Sequence, residues 1–225
     1  MSLAYNTLHH LAIIMDGNSR WAMANNLNRN LGHKQGAQKA KMVIEWAMRM
    51  GVKYLNWSRP TFEVQYLLNL LDWYLNNELL SLVKNGVKLQ IIGDLETLTP
   101  EMRAKIENLN NLAPQHTNIN VYIAFSYGGQ KELVDAVKRA IQQGLRAEDI
   151  SQETFPQLLY APEMPPIDLL IRTGGNKRMS NFFLWHTAYA ELCFIEKYWP
   201  DFAQADLQEA VEKYKDCQRT FGVRK

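Results

Sequence analysis

Two segments far apart in the chain place charged residues and glycines directly after a short apolar run. Residues 11–21 run from an apolar stretch into Asp16 and a glycine, and residues 168–181 run from another into Arg172 and a Gly-Gly turn. Cationic side chains and free backbone N–H groups at strand ends are typical of phosphate sites. The two segments therefore predict a shared site for phosphate groups, and one carboxylate among so many cations indicates a metal ion as well.

The Asp16-Gly17 pair also has a simpler interpretation, because Asp and Gly are common turn residues. The residues that follow, 18–21, weaken it, since the small polar residues there offer backbone N–H groups at the start of a helix. Three further side chains would add positive charge to this pocket: Arg20, Arg29 and His33.

The second segment carries a cation where an apolar strand ends. Arg172 needs a partner at that position, and the glycines at 174 and 175 let the backbone approach a ligand closely. Lys177, Arg178 and Ser180 then supply donors, a guanidinium fork and a hydroxyl that suit diphosphate oxygens. A Gly-Gly turn alone is weak support, but this cluster opposite a second phosphate-type turn favours a diphosphate site.

Glu191 lies in an almost wholly apolar neighbourhood, residues 188–194. A carboxylate rarely stays buried without a cation or a hydrogen-bond partner, so an arginine ion pair or a metal must accompany it. From spacing alone, the ion pair is favoured.

Composition limits the class of protein. The 225 residues are 47% hydrophobic, which is enough for the core of a single α/β domain. The 25 basic and 23 acidic residues give a net charge of +2, so no overall field favours nucleic acid or an anionic membrane. Cys193 and Cys217 lack metal-type spacing and are expected as reduced thiols. No apolar stretch is long enough to span a membrane and no signal pattern is visible, so we expect a soluble cytoplasmic protein.

Short β-favouring runs alternate with helical patterns along the chain, which predicts a mostly parallel six-stranded sheet flanked by helices. The expected strands are Leu11–Met15, Val52–Leu55, Val87–Ile92, Ile119–Phe125, Ile167–Arg172 and Leu192–Ile195. The expected helices are Gly36–Met50, Thr61–Lys84, Pro100–Leu109, Gln130–Gln143 and Asp206–Thr220, with Thr99 as an N-cap. We expect one domain over residues 1–225, with residues 1–8 as an N-terminal extension.

The segment Thr61–Lys84 is apolar on more than one side. Burial in the core alone could require this pattern. A helix that lines a groove for a long apolar ligand would show the same pattern.

The sequence resembles the cis-prenyltransferase family, and within it the bacterial undecaprenyl diphosphate synthases. The similar motifs follow one another through nearly the whole chain: residues 10–21, 32–36, 56–60, 91–94, 127–129, 168–181, 188–194, 199–202 and 219–222. The resemblance implies a parallel sheet with helices around it and an apolar tunnel for the growing chain. It also implies that isopentenyl diphosphate units are added to farnesyl diphosphate with cis geometry, in a Mg²⁺-dependent reaction.

The resemblance implies a role for each matching residue. Asp16 is the catalytic, metal-binding carboxylate, and Glu191 is a second metal carboxylate contributed across a homodimer interface, which reverses the ion-pair interpretation. Asn56 is implied as a proton acceptor, although an amide is a poor base. The implied substrate-binding residues are Gly17, Asn18, Ser19, Arg20, Trp21, Arg29, His33, Trp57, Arg59, Arg172, Arg178 and Ser180. The implied partners are the two diphosphate substrates and a second copy of the chain, with peripheral membrane contact at product release and no nucleic acid.

The chain departs from the family pattern at two places: after the Gly-Gly turn of residues 174–175, and between Leu55 and Asn56. Asn176 stands where an acidic residue is usual, and Lys177 where some members have histidine. Family members also carry a longer stretch between the equivalents of Leu55 and Asn56. The four residues Val52–Leu55 are too few to form a full buried strand. We therefore predict that the chain is interrupted between Leu55 and Asn56 and that further residues belong there.

Three other functions compete with this interpretation. A noncatalytic partner subunit would lack Asp16, Arg172 and Arg178, which are all present. An unrelated phosphohydrolase or nucleotide-binding protein would carry a P-loop or a second carboxylate near Asp16, and neither is visible. A short-chain homologue remains open, since the depth of a tunnel cannot be read from the sequence.

Overall fold

The computed structural model describes residues 6–58, 79–96 and 98–221. Six strands form one sheet in the order β3-β4-β2-β1-β5-β6, and every neighbouring pair is parallel, which confirms the predicted fold class. The strands are β1 His10–Ile14, β2 Tyr54–Ser58, β3 Val87–Gly93, β4 Ile119–Phe125, β5 Leu169–Arg172 and β6 Glu191–Phe194.

The described helices confirm the predicted alternation with the strands. Thr99 accepts a hydrogen bond from the backbone N–H of Met102, 3.3 Å away, and so caps the helix Pro100–Asn110 as expected. The α-helices are α1 Asn18–Ala24, α2 Arg29–Arg49, Leu79–Lys84, Pro100–Asn110, Gly129–Gln142 and Gln204–Lys215. Within the described residues, no helix is both long and apolar enough to cross a bilayer.

The sheet is covered on both faces, which is why its strands read as almost continuous apolar runs. All five residues of β1 are buried. Leu11 and Ile13 join the larger hydrophobic core on one face, while Ala12 and Ile14 join a second core on the other. Most of the segment 61–84, whose pattern fits either burial in the core or the lining of a groove, lies outside the described residues, so the tunnel stays a prediction.

Strand β2 corrects the prediction of an interrupted chain. It runs without a break from Tyr54 to Ser58, and its residues pair in continuous register with both β1 and β4. Asn56 and Trp57 therefore occupy the strand positions that the absent stretch would otherwise fill. The strand has a normal length because these two residues pair with β1 and β4 as part of the sheet.

The described residues of the expected N-terminal extension belong to the domain. Leu8 is buried in the larger core, and the Asn6 side-chain amide donates a hydrogen bond to the carbonyl oxygen of Cys217, 2.6 Å away. Residues 6–8 therefore pack against the last helix.

The topology creates a crevice between β1 and β5. Strand β1 is followed by a connection to β2 on one side, while β5 is followed by β6 on the other. The loops that leave the two strands diverge at this point, which in open α/β sheets is where ligands bind. Both sequence segments singled out above leave the sheet here.

Candidate active site

Asp16 is the centre of a charged cluster at the carboxyl ends of β1 and β5. Its Oδ2 atom accepts hydrogen bonds from Nη2 of Arg172 at 2.8 Å and from Nδ2 of Asn176 at 2.9 Å. Its Oδ1 atom accepts one from Nη2 of Arg20 at 3.0 Å. Since Ile14 pairs with Arg172 in the sheet, the register itself brings the two predicted segments together. The predicted juxtaposition of Asp16 and Arg172 is confirmed.

The cluster keeps Asp16 ionised. Burial by itself would raise the pKa of the carboxyl group, but the hydrogen bonds from Arg172, Asn176 and Arg20 hold that pKa below its ordinary value. Asn176 acts here as a neutral donor. The departure from the family pattern at this position therefore adds a hydrogen bond to Asp16.

The backbone of Asp16 is also fixed. The buried Thr173 hydroxyl donates to the Asp16 carbonyl oxygen at 2.8 Å and accepts from the Asp16 N–H at 3.1 Å. The N–H of Trp199 donates to the same carbonyl oxygen at 3.0 Å. Sequence reasoning gave no role to Thr173, because its partner is distant in the chain.

Arg172 is almost fully enclosed, with 5% of its side chain exposed. Its Nη1 atom donates to the Ser180 hydroxyl at 2.6 Å and to the Arg178 carbonyl oxygen, while Nη2 holds Asp16. The Arg178 side chain and Ser180 are exposed. Arg172 therefore organises the loop and the carboxylate, and the exposed Arg178 is better placed than Arg172 to meet a ligand from solvent.

The loop that carries Ser180 is anchored on the helix Gly129–Gln142. The N–H of Gly129 donates to the Asn181 carbonyl oxygen at 2.7 Å, and the N–H of Gln130 donates to Asn181 Oδ1 at 2.8 Å. A side chain at position 129 would lie 2.7 Å from Leu184, so the close approach requires glycine. This explains the Tyr-Gly-Gly motif as a support for the site.

The first turn of the site requires glycine at position 17. Gly17 has a φ of 105°, and a Cβ there would lie 2.7 Å from the Tyr198 ring. Two glycines of α2 allow α1 to approach: a Cβ at Gly32 would lie 2.2 Å from the Asn18 carbonyl oxygen, and one at Gly36 would lie 2.1 Å from Asn18 Oδ1. Asn18 is buried in this contact, so its side chain has a packing position between the two helices, and its predicted contact with substrate stays a prediction.

The other residues predicted for this part of the site lie on α1 and α2. Ser19 Oγ lies 3.1 Å from His33 Nε2, which joins the two helices. The Trp21 ring donates to Asp201 Oδ1 at 2.7 Å, so its polar edge is already used within the protein. Arg29 is exposed at the start of α2 and is available to a ligand.

Asn56 and Trp57 do not reach the site. Asn56 is fully buried in the middle of β2, opposite Ala12, and its amide lies 2.9 Å from both His10 Nε2 and Met164 Sδ. Trp57 packs in the larger core. The motif letters match the family, but without the longer stretch the register places them inside the sheet. Arg59 lies outside the described residues.

Within one chain, Glu191 lies at the amino ends of the parallel strands, whereas Asp16 lies beyond their carboxyl ends. It starts β6 and pairs with Leu169, the first residue of β5, whereas Asp16 follows the last residue of β1. Its carboxylate contacts the Cys217 thiol. The predicted role of Glu191 as a metal carboxylate therefore requires a second copy of the chain, as the resemblance implied, and it stays a prediction.

The segment Phe182–Phe194 is less exposed than its apolar sequence indicates. Phe182 and Phe183 are buried in the second core. Tyr189 and Leu192 of the outer strand β6 region remain exposed, and the Phe221 ring is tilted against the Tyr189 ring with 6.0 Å between centroids. The described residues therefore expose Tyr189, Leu192 and Phe221 at this edge strand.

The cluster offers one protein carboxylate to a metal ion. In the described parts of the chain, no group of three or more His, Cys, Asp or Glu side chains is placed to hold a metal. Among the described residues, Asp16 Oδ2 accepts two hydrogen bonds and Oδ1 accepts one, from Arg20, which leaves acceptor capacity on Oδ1. Mg²⁺ usually binds through one or two carboxylates together with waters and substrate phosphates. Asp16 therefore fits the predicted Mg²⁺ as its single ligand from this chain.

An open parallel sheet with an ionised carboxylate, arginines and glycine turns at its switch point is typical of α/β proteins that bind phosphate groups. The undecaprenyl diphosphate synthase family model, Prenyltransf, matches residues 14–222. The chain belongs to this family, which places it among the prenyltransferases, as the sequence motifs predicted.

Relatives of similar length support this assignment. An isoprenyl transferase of Rickettsia typhi is 45% identical over 226 residues, which cover 97% of this chain and 99% of the relative. Since that alignment is longer than the part of this chain it covers, a few residues of the relative have no counterpart here. An isoprenyl transferase of Thermotoga maritima is 39% identical and covers 95% of this chain and 96% of its own.

Two solved structures share the fold. Lavandulyl diphosphate synthase from Lavandula x intermedia, in complex with dimethylallyl diphosphate, has a TM-score of 0.88 and 32% identity, covering 96% of this chain and 99% of its own. A probable undecaprenyl diphosphate synthase from Campylobacter jejuni has a TM-score of 0.79 and 31% identity, covering 97% and 100%.

Proposed function

We propose that this chain condenses isopentenyl diphosphate units with farnesyl diphosphate in cis, giving undecaprenyl diphosphate as the precursor of a lipid carrier for cell-wall polysaccharide. The observation that carries the proposal is the ionised Asp16 held between Arg172 and Arg20, where two phosphate-type loops face each other. Membership of the family supports the reaction class. A cytoplasmic location stays a prediction from composition.

The residue types suit a reaction in which a diphosphate leaves while positive charge develops on the allylic carbon. Fixed positive charge around the departing oxygens stabilises that transition state. Arg20 contacts Asp16, and Arg29 is exposed at the start of α2. Both would bind the allylic diphosphate. Arg178 and Ser180 would bind isopentenyl diphosphate, with Arg172 holding the loop that carries both.

Asp16 would hold Mg²⁺ through its carboxylate. Bound there, Mg²⁺ would supply Lewis-acid stabilisation of the diphosphate charge. Arg172 and Asn176 would keep the carboxylate ionised and correctly turned. The proton lost in each condensation goes to an acceptor other than Asn56, because Asn56 is enclosed in the sheet.

A homodimer is part of the proposal. The exposed Tyr189, Leu192 and Phe221 lie beside the outer strand β6, whose second edge has no partner strand in the described sheet. A second copy that packs on this edge would cover them and could bring Glu191 near the other copy's substrates. We expect sedimentation to give a dimer, and a stable, active monomer would exclude this role of Glu191.

Incubation with farnesyl diphosphate, labelled isopentenyl diphosphate and Mg²⁺, followed by sizing of the product, tests the proposed reaction. We expect a long product that forms only with Mg²⁺, and none from the Asp16→Asn variant. Consumption of no isopentenyl diphosphate by the wild-type protein would contradict the proposal.

A short product is the second candidate, favoured by the high structural similarity to lavandulyl diphosphate synthase. Replacing farnesyl with dimethylallyl diphosphate in the same assay separates the two candidates. Efficient use of dimethylallyl diphosphate with addition of a single unit would favour the short product.

A further inference from the structure

A short segment between β6 and the last helix connects the two phosphate-type loops. The Lys197 carbonyl oxygen accepts from the N–H of Gly174 at 2.8 Å, and the N–H of Trp199 donates to the Asp16 carbonyl oxygen at 3.0 Å. The residue between these two anchors is Tyr198. Its backbone is thus fixed to both loops at once.

The Tyr198 ring contacts both functional residues of the first turn. It lies against Gly17, where any Cβ would approach its Cδ1 atom to 2.7 Å. The Arg20 guanidinium carbon lies over the ring, 5.2 Å from its centroid. A guanidinium within about 6 Å of a ring centroid is attracted to the face of the ring.

Arg20 depends on this contact for its position. Its side chain is 42% exposed, and within the described part of the chain two of its five donors are used, on Asp16 Oδ1 and on the Gly174 carbonyl oxygen. Both of those acceptors lie on the loops, so the ring is the third support of the guanidinium. With three supports the remaining N–H groups are held in one orientation.

We propose that Tyr198 is a positioning residue that orients Arg20 for the diphosphate of the allylic substrate. The inference rests on the proposed function for the identity of the substrate. The contact itself predicts only that the ring stabilises the arrangement in which Arg20 binds a diphosphate. It goes beyond the sequence motifs, in which Tyr198 had no role.

The test compares Tyr198→Leu, which keeps an apolar contact with Gly17 but removes the ring face, with Tyr198→Phe, which keeps the ring. Titration calorimetry with inorganic diphosphate measures binding without turnover. We expect Tyr198→Leu to weaken binding by about three- to tenfold, as loss of one partly exposed cation–π contact implies. Tyr198→Phe should bind as the wild-type protein does.

Steady-state kinetics separates positioning from general loosening of the fold. Tyr198→Leu should raise KM for the allylic diphosphate by the same factor while KM for isopentenyl diphosphate changes by less than about twofold, within the scatter of uncoupled sites. In an Arg20→Ala background, Tyr198→Leu should have no further effect on diphosphate binding.

Equal diphosphate binding by the Leu and Phe variants would overturn the inference, as would an equal rise in both KM values. Absence of diphosphate binding to the wild-type protein would overturn it as well. Diphosphate binding that depends on the ring, without any product from farnesyl diphosphate, would support the positioning role and contradict the proposed reaction instead.

Discussion

Two side-chain clusters of this protein lie next to strand β1 and differ in charge. The edge cluster consists of Asp16, Arg20, Arg172 and Asn176, at the carboxyl ends of β1 and β5. The sheet cluster consists of His10, at the start of β1, Asn56, in the middle of β2, and the neighbouring Met164 and His186.

The edge cluster is charged, and the sheet cluster is neutral. Hydrogen bonds from cations and an amide hold the pKa of Asp16 low. In the sheet cluster, burial lowers the pKa of His10, and burial together with the nearby His10 lowers the pKa of His186 to about 4. Charge is therefore retained only where strand ends leave the core, and polar residues further inside contribute to the packing of the sheet.

Removal of the Asp16 carboxylate should have the largest effect on the edge cluster. We expect Asp16→Ala to lower kcat by about three powers of ten or more, since it removes both the metal ligand and the partner of the arginines. The enclosed Arg172 guanidinium would lose its carboxylate, so the free energy of unfolding should also fall by about 1–3 kcal/mol. Denaturant unfolding and kinetics at saturating Mg²⁺ measure the two effects. Near-normal turnover would show that Asp16 has no role in the chemistry.

Arg172 and Arg178 should separate into an organising and a binding role. Arg172→Ala removes the hydrogen bonds to Asp16 and Ser180 together. We therefore expect kcat/KM to fall by the equivalent of about 2–4 kcal/mol of transition-state stabilisation, and kcat itself to fall. Arg178→Ala should mainly raise KM for isopentenyl diphosphate, because its side chain is exposed. Arg29→Ala is the control on the other loop and should affect the allylic substrate. The reverse substrate preferences would show that the two loops have been assigned wrongly.

The sheet cluster should make the protein sensitive to mild acid. Above pH 6.5 His186 is neutral in both the folded and the unfolded chain. Below that pH the unfolded chain takes up a proton and the folded chain does not, until the pH reaches about 4. The free energy of unfolding should fall over this window by on the order of 3 kcal/mol for His186. In His186→Gln the dependence between pH 6.5 and 4.5 should be shallower, and an unchanged slope would mean that His186 is not buried as a neutral residue.

Asn56 gives the smallest and sharpest test, since the family motif and the structure assign it to different clusters. If it belongs to the sheet cluster, Asn56→Ala lowers the free energy of unfolding by about 1–3 kcal/mol, because His10 loses a buried partner. Turnover per folded molecule should then stay near the wild-type value. Asn120→Ala, on the neighbouring strand, is a matched control with a weak 3.4 Å contact to the Lys53 carbonyl oxygen. A large fall in kcat with no change in the free energy of unfolding would show that Asn56 takes part in catalysis, as the family motif implies.

The sequence by itself determined the features that depend on neighbouring residues. Apolar runs between helical patterns predicted six strands, because a strand buried on both faces must be apolar throughout. Asp16 and Arg172 could be paired from the sequence because the ends of parallel strands meet at one edge of a sheet.

Only the tertiary structure decided what each side chain contacts across the sheet. Asn56 and Trp57 carry the letters of an active-site motif, but the length of the chain before them sets the register of β2 and moves them into the core. Asn176 stood out only as a departure from the family pattern and Tyr198 not at all, because their partners, Asp16 and Arg20, are more than a hundred residues away. Register and long-range contacts follow from how the whole chain packs, which is why local patterns predicted the position of the site but not its full set of residues.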